Sequence, residues 1–302
     1  MGDEKLKNLF KKGLSILAVS GLVLAGCGGA TEDAKEVPAD ASAGNQDVTI
    51  TFGQTPWTST VPPTYVAKQI LEDMGYKVDV QEAEAGVVYT GLASGDIDVF
   101  MDAWLPDTHK NYMDKYGDKI TDAALSYPDG ELGWVVPTYM EDINSIEDLI
   151  GKEDLFGGKV YGIDEGAGIT ETSRELIEGY GLKYEYAISS EAAMLAQAKK
   201  LINDKKPVLF VGWRPHTMFV DFDLKILEDS KGFFKPSEVH VLTNKGFEEK
   251  APEAFAFLSK WSMPVGDIEK MIKEIDEGAK PEEVAKKWIE ENKEKVEQMT
   301  AK

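Results

Sequence analysis

The chain has 302 residues, enough for one large domain or two of medium size, and its 42% hydrophobic content is ordinary for a folded globular protein. Lys and Arg number 33 against 54 Asp and Glu, a net charge of −21, and this argues against nucleic acid as a partner because phosphate contacts need a basic surface. One Cys and three His far apart in sequence give no zinc spacing and no internal disulfide, so no metal and no cofactor is expected.

Four lysines lie between Lys5 and Lys12, and residues 14–25 are almost wholly apolar before Leu24-Ala25-Gly26-Cys27. A positive start, a short apolar core and small residues before a cut site make a secretory signal. The apolar run is too short for a comfortable membrane span. The Leu-Ala-Gly-Cys ending resembles the bacterial lipobox, which implies that residues 1–26 are removed and that Cys27 carries the lipid. An uncleaved anchor is the alternative, and either one puts the bulk of the chain outside the cytoplasmic membrane. Removal takes away four Lys, Asp3 and Glu4, so the charge of −21 becomes −23. Such a chain does not adhere to anionic lipid by charge, and the membrane contact is expected through the lipid on Cys27. Residues 27–46, rich in Ala, Gly, Asp and Glu, read as a flexible tether.

Residues 48–52 form a β-branched run and predict a strand, broken at Gly53-Gln54-Thr55-Pro56 with Trp57 in the loop. Helical spacing of Val66, Ile70 and Leu71 predicts a helix over 65–74, stopped by Gly75. A strand over 77–80, a helix over 87–93 and a strand over 97–101 follow. Next comes Asp102-Ala103-Trp104-Leu105-Pro106-Asp107-Thr108-His109, in which an indole leaves a strand, Pro stiffens a turn and His stands five residues after the Trp. A helix runs on to Tyr116, with Asp107 or Thr108 as its cap. Residues 132–137 are a long apolar strand suited to passing from one lobe into another. Trp134 within it has apolar neighbours on both faces and is assigned to core or hinge. The strand–helix alternation predicts a mostly parallel sheet.

A helix over 145–150 is predicted, with Ser145 as cap and Asp148 three residues on. A strand over 160–164 leads to Glu165-Gly166-Ala167-Gly168-Ile169-Thr170 and a helix to Tyr180. Strand, glycine loop and helix start is a geometry that binds anions, because free N–H groups point at the ligand; an ordinary tight turn is the competing reading. The spacing is not that of a dinucleotide fingerprint. A helix over 192–202, with Met194 in the core, precedes a strand over 208–211 and Gly212-Trp213-Arg214-Pro215-His216. A strand over 239–242 returns the chain, and helices cover 255–261, 268–275 and 281–299, with Trp261 and Trp288 in the core. The expected organisation is α/β, with lobe 1 formed by 47–138 and 239–302 and lobe 2 by 139–238.

Three indoles, Trp57, Trp104 and Trp213, follow three strands, and ligand sites of α/β proteins lie where strands end. They suggest a cage around a quaternary ammonium. That group has no N–H for an acceptor to select, and its charge is spread over methyl groups, so aromatic faces suit it. Two α/β lobes joined by extended crossings are the plan of bacterial solute-binding proteins, a two-lobe periplasmic-binding-protein-like fold of type II with its ligand cleft between the lobes.

With Trp57, the 102–109 motif, the 166–169 loop and the 212–216 motif together, the chain resembles the glycine betaine-binding lipoproteins of osmoprotectant ABC importers over residues 47–295. The resemblance implies a prism of Trp57, Trp104 and Trp213 around the trimethylammonium, with the carboxylate on the N–H groups of Gly168 and Ile169 and on His109. It implies an ABC permease and ATPase as partners, and no enzymatic reaction. Carnitine, proline betaine, choline and dimethylsulfoniopropionate are the alternative ligands. Thr217 stands where relatives often carry Trp. The readings of another class are a non-transport sensor of the same fold and a secreted hydrolase. Against the hydrolase stand the lack of a Gly-x-Ser-x-Gly elbow and the use of Cys27 in the lipobox.

Overall fold

The structure, a computed structural model, describes Asn45 and residues 47–301. The signal segment, Cys27 and all of the tether except Asn45 therefore lie outside the described residues. In chain order the elements are β1 (Thr49–Gln54), α1 (Val61–Asp73), β2 (Lys77–Glu82), α2 (Ala85–Ser94), β3 (Val99–Leu105), α3 (Lys110–Tyr116) and β4 (Ile120–Pro137). They continue with β5 (Lys159–Tyr161), α4 (Gly168–Tyr180), β6 (Glu185–Ala187), α5 (Glu191–Asn203), β7 (Phe210–Arg214), α6 (Met218–Asp221), β8 (Leu224–Ile226) and β9 (Ser237–Asn244). Five helices close the chain: α7 (Phe247–Lys250), α8 (Pro252–Leu258), α9 (Val265–Asp276), α10 (Pro281–Glu291) and α11 (Lys293–Thr300).

Hydrogen bonding orders the strands β2-β1-β3-β9-β4-β7-β5-β6, with β8 on the flank of β4. One strand joins two groups along this path. Residues 120–130 of β4 pair with β9, ending at Gly130 opposite Ser237. From Glu131, opposite Arg214, β4 pairs with β7 instead. The apolar stretch expected to pass between lobes is thus the second half of an 18-residue strand.

The sheet is not mostly parallel. β1 is parallel to β2 and β3, and β5 to β6 and β7. β9 is antiparallel to β3 and β4, and β4 is antiparallel to β7 and β8. The outer strands obey the βαβ logic of the sequence. The centre departs from it because β4 leaves the first group and β9 returns to it, and two crossings in opposite senses pair antiparallel.

Local chemistry explains the element ends. Pro62 and Pro63 occupy the first turn of α1, where a missing N–H costs nothing. Its Val66, Ile70 and Leu71 are buried at helical spacing. All seven residues of β3 are buried, as expected for a strand covered on both faces. The helix expected over 145–150 is only a 3₁₀ turn, Glu147–Leu149. Its capping contacts exist, since Asp148 accepts from the N–H groups of Asn144 (2.8 Å) and Ser145 (2.9 Å). Gly151 at φ 75° then ends the turn. The last helix is two, α10 and α11, parted at Asn292 with φ −121° and ψ 35°. No helix among the described residues is long and apolar enough to cross a membrane.

Trp134 is fully buried, and its Nε1–H donates to Ser173 Oγ at 2.9 Å. The ring ties β4 to α4, in keeping with a core role. Trp134→Ala is expected to lower unfolding stability by about 3–5 kcal/mol in a urea titration; a loss below about 1 kcal/mol would contradict that role.

Candidate functional site

Trp57, Trp104, His109, Gly168, Ile169 and Trp213 all line one pocket, and Ser59, Thr108, Leu132, Ile163 and Ala167 complete its wall. Trp57 lies between β1 and the 3₁₀ turn Thr58–Thr60. Trp104 and Trp213 belong to strands, not to the loops after them, because β3 runs to Leu105 and β7 to Arg214. Strand β4 sets the spacing of these two rings: Leu132 is the register partner of Trp213. At Gly130 a Cβ would stand 2.8 Å from the Trp104 ring, so the glycine makes room for the indole to lie against the strand.

Two of the indoles are fixed by carboxylates. Trp57 Nε1–H donates to Asp164 Oδ2 at 2.9 Å, and Trp104 Nε1–H to Asp102 Oδ1 at 3.1 Å. The hydroxyls of Ser59 and Thr60 also donate to Asp102 Oδ2, both at 2.8 Å. Asp102 is fully buried, and burial pushes its carboxyl up to about 6, opposed by the hydrogen bonds from Thr60, Ser59 and Trp104. Sequence reading gave Asp102 no role. Its signal was present: an acid inside an apolar strand, two residues before Trp104 and so on the same face.

The same pocket also offers donors. The first N–H groups of a helix have no intrahelical acceptor. In α4 these belong to Gly168 and Ile169, and neither takes a partner among the described residues. His109 is 1% exposed, and its Nδ1 accepts from the Trp104 backbone N–H at 3.1 Å and stands 3.1 Å from the Tyr89 hydroxyl. Burial lowers its pKa to about 3, so the ring is neutral at physiological pH. With Nδ1 accepting, the proton is on Nε2, for which no described residue is an acceptor. Two amides and one imidazole N–H therefore line the same pocket as the three indoles. Such a site can hold a carboxylate beside a bulky cation.

Four hydrogen bonds connect the Trp57 turn and α3 to α4, the loop before it, and α5. Besides the Trp57–Asp164 bond, the Tyr112 hydroxyl donates to the Gly166 carbonyl (2.7 Å) and Asn111 Nδ2 to Glu171 (2.7 Å). Thr58 N–H donates to Glu191 Oε2 at 3.1 Å, while Glu191 Oε1 accepts from His216 Nε2 at 3.1 Å. His216 Nδ1 in turn accepts from the Met218 N–H. The His216 ring meets Trp213 edge-on at 5.1 Å. Glu191 thus couples the Trp57 turn to the Trp213 strand, a link with no sequence signal because the partners lie far apart.

One expectation near the site changes. Neither Asp107 nor Thr108 caps α3; the Thr108 hydroxyl pairs with Ser237 Oγ at 3.1 Å and the residue serves the pocket wall. Thr217 does not line the pocket, and its hydroxyl donates to Asp276 on α9 at 2.8 Å.

Residues 48–291 match a family described as the substrate-binding domain of ABC-type glycine betaine transport systems. A glycine betaine/carnitine transport binding protein of Listeria monocytogenes is 38% identical over 145 residues, 47% of this chain and 48% of that protein. The chain spans about half the length of that curated relative. Among solved structures, lactococcal OpuAC in its closed-liganded conformation with glycine betaine is similar at a TM-score of 0.80 and 31% identity, covering 84% of this chain and 100% of that one. An ABC-transporter choline-binding protein in complex with choline is similar at a TM-score of 0.79 and 27% identity, covering 83% of this chain and 91% of that one.

The contact of the Thr108 turn with α4 depends on one missing side chain. A Cβ at Gly168 would lie 2.0 Å from the Thr108 carbonyl oxygen. Gly168→Ala is therefore expected to push the two segments apart. Hydrogen exchange should quicken at least tenfold at residues 108–112 and 166–171, with the sheet unaffected. Unchanged exchange would show the contact to be dispensable.

Proposed function

This chain belongs to the family of substrate-binding domains of ABC-type glycine betaine transport systems, and from that premise we propose that it captures glycine betaine outside the cytoplasmic membrane and delivers it to an importer. The fold is the two-lobe, type II periplasmic-binding plan, and the family is one of binding proteins, not of enzymes. In this reading Trp57, Trp104 and Trp213 enclose the trimethylammonium. The carboxylate takes the N–H groups of Gly168 and Ile169 and the Nε2–H of His109.

Magnitudes make both halves necessary. Each ring contributes about 0.5–2 kcal/mol to a cation at its face, so three supply roughly 1.5–6 kcal/mol. Micromolar binding needs about 8 kcal/mol. Methyl burial and the carboxylate bonds must supply the difference. This sets a carboxylated ligand above choline, which has no anion for the three donors. The single observation that carries the reading is that three indoles and three N–H donors without an acceptor among the described residues line one pocket.

The proposal divides the chain into lobe 1, residues 47–138 and 239–302, and lobe 2, residues 139–238. Trp57, Trp104 and His109 then belong to the first, and Gly168, Ile169 and Trp213 to the second. A zwitterion touching both sides binds the closed form better, and this difference drives closure. Beyond the described residues, Cys27 is proposed as the lipid-bearing anchor, and an ABC permease with its ATPase as the receiving partner.

Titration of the mature chain with glycine betaine is expected to perturb Trp fluorescence with a Kd in the micromolar range. Trp104→Ala should weaken binding at least tenfold. A flat titration up to millimolar ligand would contradict the function, and an unchanged affinity in the variant would remove Trp104 from the site.

A further inference from the structure

Among the described residues, the buried carboxylates other than Asp102 have a cationic or histidine partner. Asp98, just before β3, is 1% exposed, and Lys250 Nζ bonds to it at 2.6 Å, with help from Thr51 N–H and Asn244 Nδ2. Glu191, 5% exposed, has His216. Asp102 is the exception: it is 0% exposed and receives only neutral donors, from Ser59, Thr60 and Trp104. No Lys, Arg or His among the described residues forms an ion pair with it. An ionised carboxylate out of water is costly without an opposite charge.

Two of its three donors, Ser59 and Trp104, are themselves pocket wall. We propose that Asp102 is the counter-charge of the aromatic cage, a carboxylate set behind the Trp104–Ser59 wall that makes the pocket select a cation over a neutral group of the same shape. This rests on the function proposed above and adds the origin of its charge selectivity. The mechanism is Coulombic and acts through one layer of side chains in a dry, low-dielectric region. The Ser59 hydroxyl proton is committed to Asp102, so its oxygen presents lone pairs to polarised N-methyl groups. The Trp104 N–H donates to the same carboxylate, which raises electron density on the ring face that meets the cation. Asp102 touches no ligand atom in this scheme; it is a positioning and field-setting residue.

The competing role is purely structural: Asp102 holds the 58–60 turn and the Trp104 ring in place. A pair of ligands separates the two roles. Glycine betaine and 3,3-dimethylbutanoate have the same shape and the same carboxylate, and differ in a charged nitrogen against a neutral carbon. Asp102→Asn keeps the bonding pattern available. The amide oxygen can accept from Trp104 Nε1–H, and the amide nitrogen can donate to the Ser59 and Thr60 hydroxyls once they rotate.

Calorimetry of the wild type and Asp102→Asn against both ligands gives the test. The affinity for glycine betaine is expected to fall at least tenfold in the variant, with that for 3,3-dimethylbutanoate unchanged or improved. Equal weakening of both ligands, or of neither, overturns the proposal. Should the variant fail to fold, the wild type decides by its pH profile from 8 to 5.5, corrected for the ionised fraction of each ligand. The titratable groups facing Asp102 are Tyr89 and Tyr127, buried phenols held protonated well above pH 8, and Glu191. As pH falls through about 6 the carboxylate takes up its proton, and preference for glycine betaine over its carbon analogue should shrink. A constant ratio overturns the proposal. A wild type that binds neither ligand defeats the proposed function itself, whereas one that binds glycine betaine with no effect of Asp102 defeats this inference alone.

Discussion

A tetraalkylammonium offers no hydrogen to an acceptor, so only surfaces that combine negative potential with apolar contact can recognise it. Everything in the proposed site follows from the need to bring several aromatic faces around one point. No short segment can do this, because rings close in sequence cannot surround a group. The chain takes its indoles from positions 57, 104 and 213 and relies on the sheet to gather them. Strand β4 does most of the gathering. It gives up β9 for β7 between Gly130 and Glu131, with Trp104 beside the first and Trp213 paired with the next residue but one, Leu132. The crossing strand is thus both the link between the two strand groups and the ruler that spaces two rings.

Rings must also be held at the right angle, and here three acids enter. Asp164 and Asp102 each take an indole N–H, and Glu191 ties the Trp57 turn to His216 beneath Trp213. His109 serves the same pocket as a donor. Its buried Nδ1 is used up by the backbone of Trp104, which leaves a neutral Nε2–H without an acceptor among the described residues. The proposed cation and anion walls therefore meet where the end of β3 bonds to His109 five residues on, and a shift in either is felt by the other. An energy of roughly 1.5–6 kcal/mol from three rings falls short of micromolar affinity alone, so this coupling matters to the proposed function.

Of the residues expected in the pocket, Trp57, Trp104 and Trp213 stood out in the sequence as indoles at strand exits, whereas His109, Gly168 and Ile169 came only from the family resemblance, since a lone His and a glycine turn have ordinary structural uses. The outer βαβ order was legible from alternating periodicity. The antiparallel centre was not, since the pattern of an apolar run does not record which way its neighbours travel. The 145–150 segment carried a true capping signal, but a cap cannot lengthen a helix that meets Gly151 at once. Asp102 escaped notice because an acid in a strand reads as exposed until burial on both faces is known. Glu191 and Asp164 act across 133 and 107 residues of chain, and no local pattern encodes that.

The central claim is that one methylated zwitterion sits with its cation among the indoles and its carboxylate on the α4 amides. A crystal structure of the mature chain grown with glycine betaine tests it most directly. The account predicts the ligand nitrogen within about 6 Å of the ring centroids of Trp57, Trp104 and Trp213. It also predicts carboxylate oxygens about 2.7–3.2 Å from the nitrogens of Gly168 and Ile169 and from His109 Nε2. Ligand density elsewhere on the molecule, or in this pocket with its carboxylate turned away from α4, would contradict it.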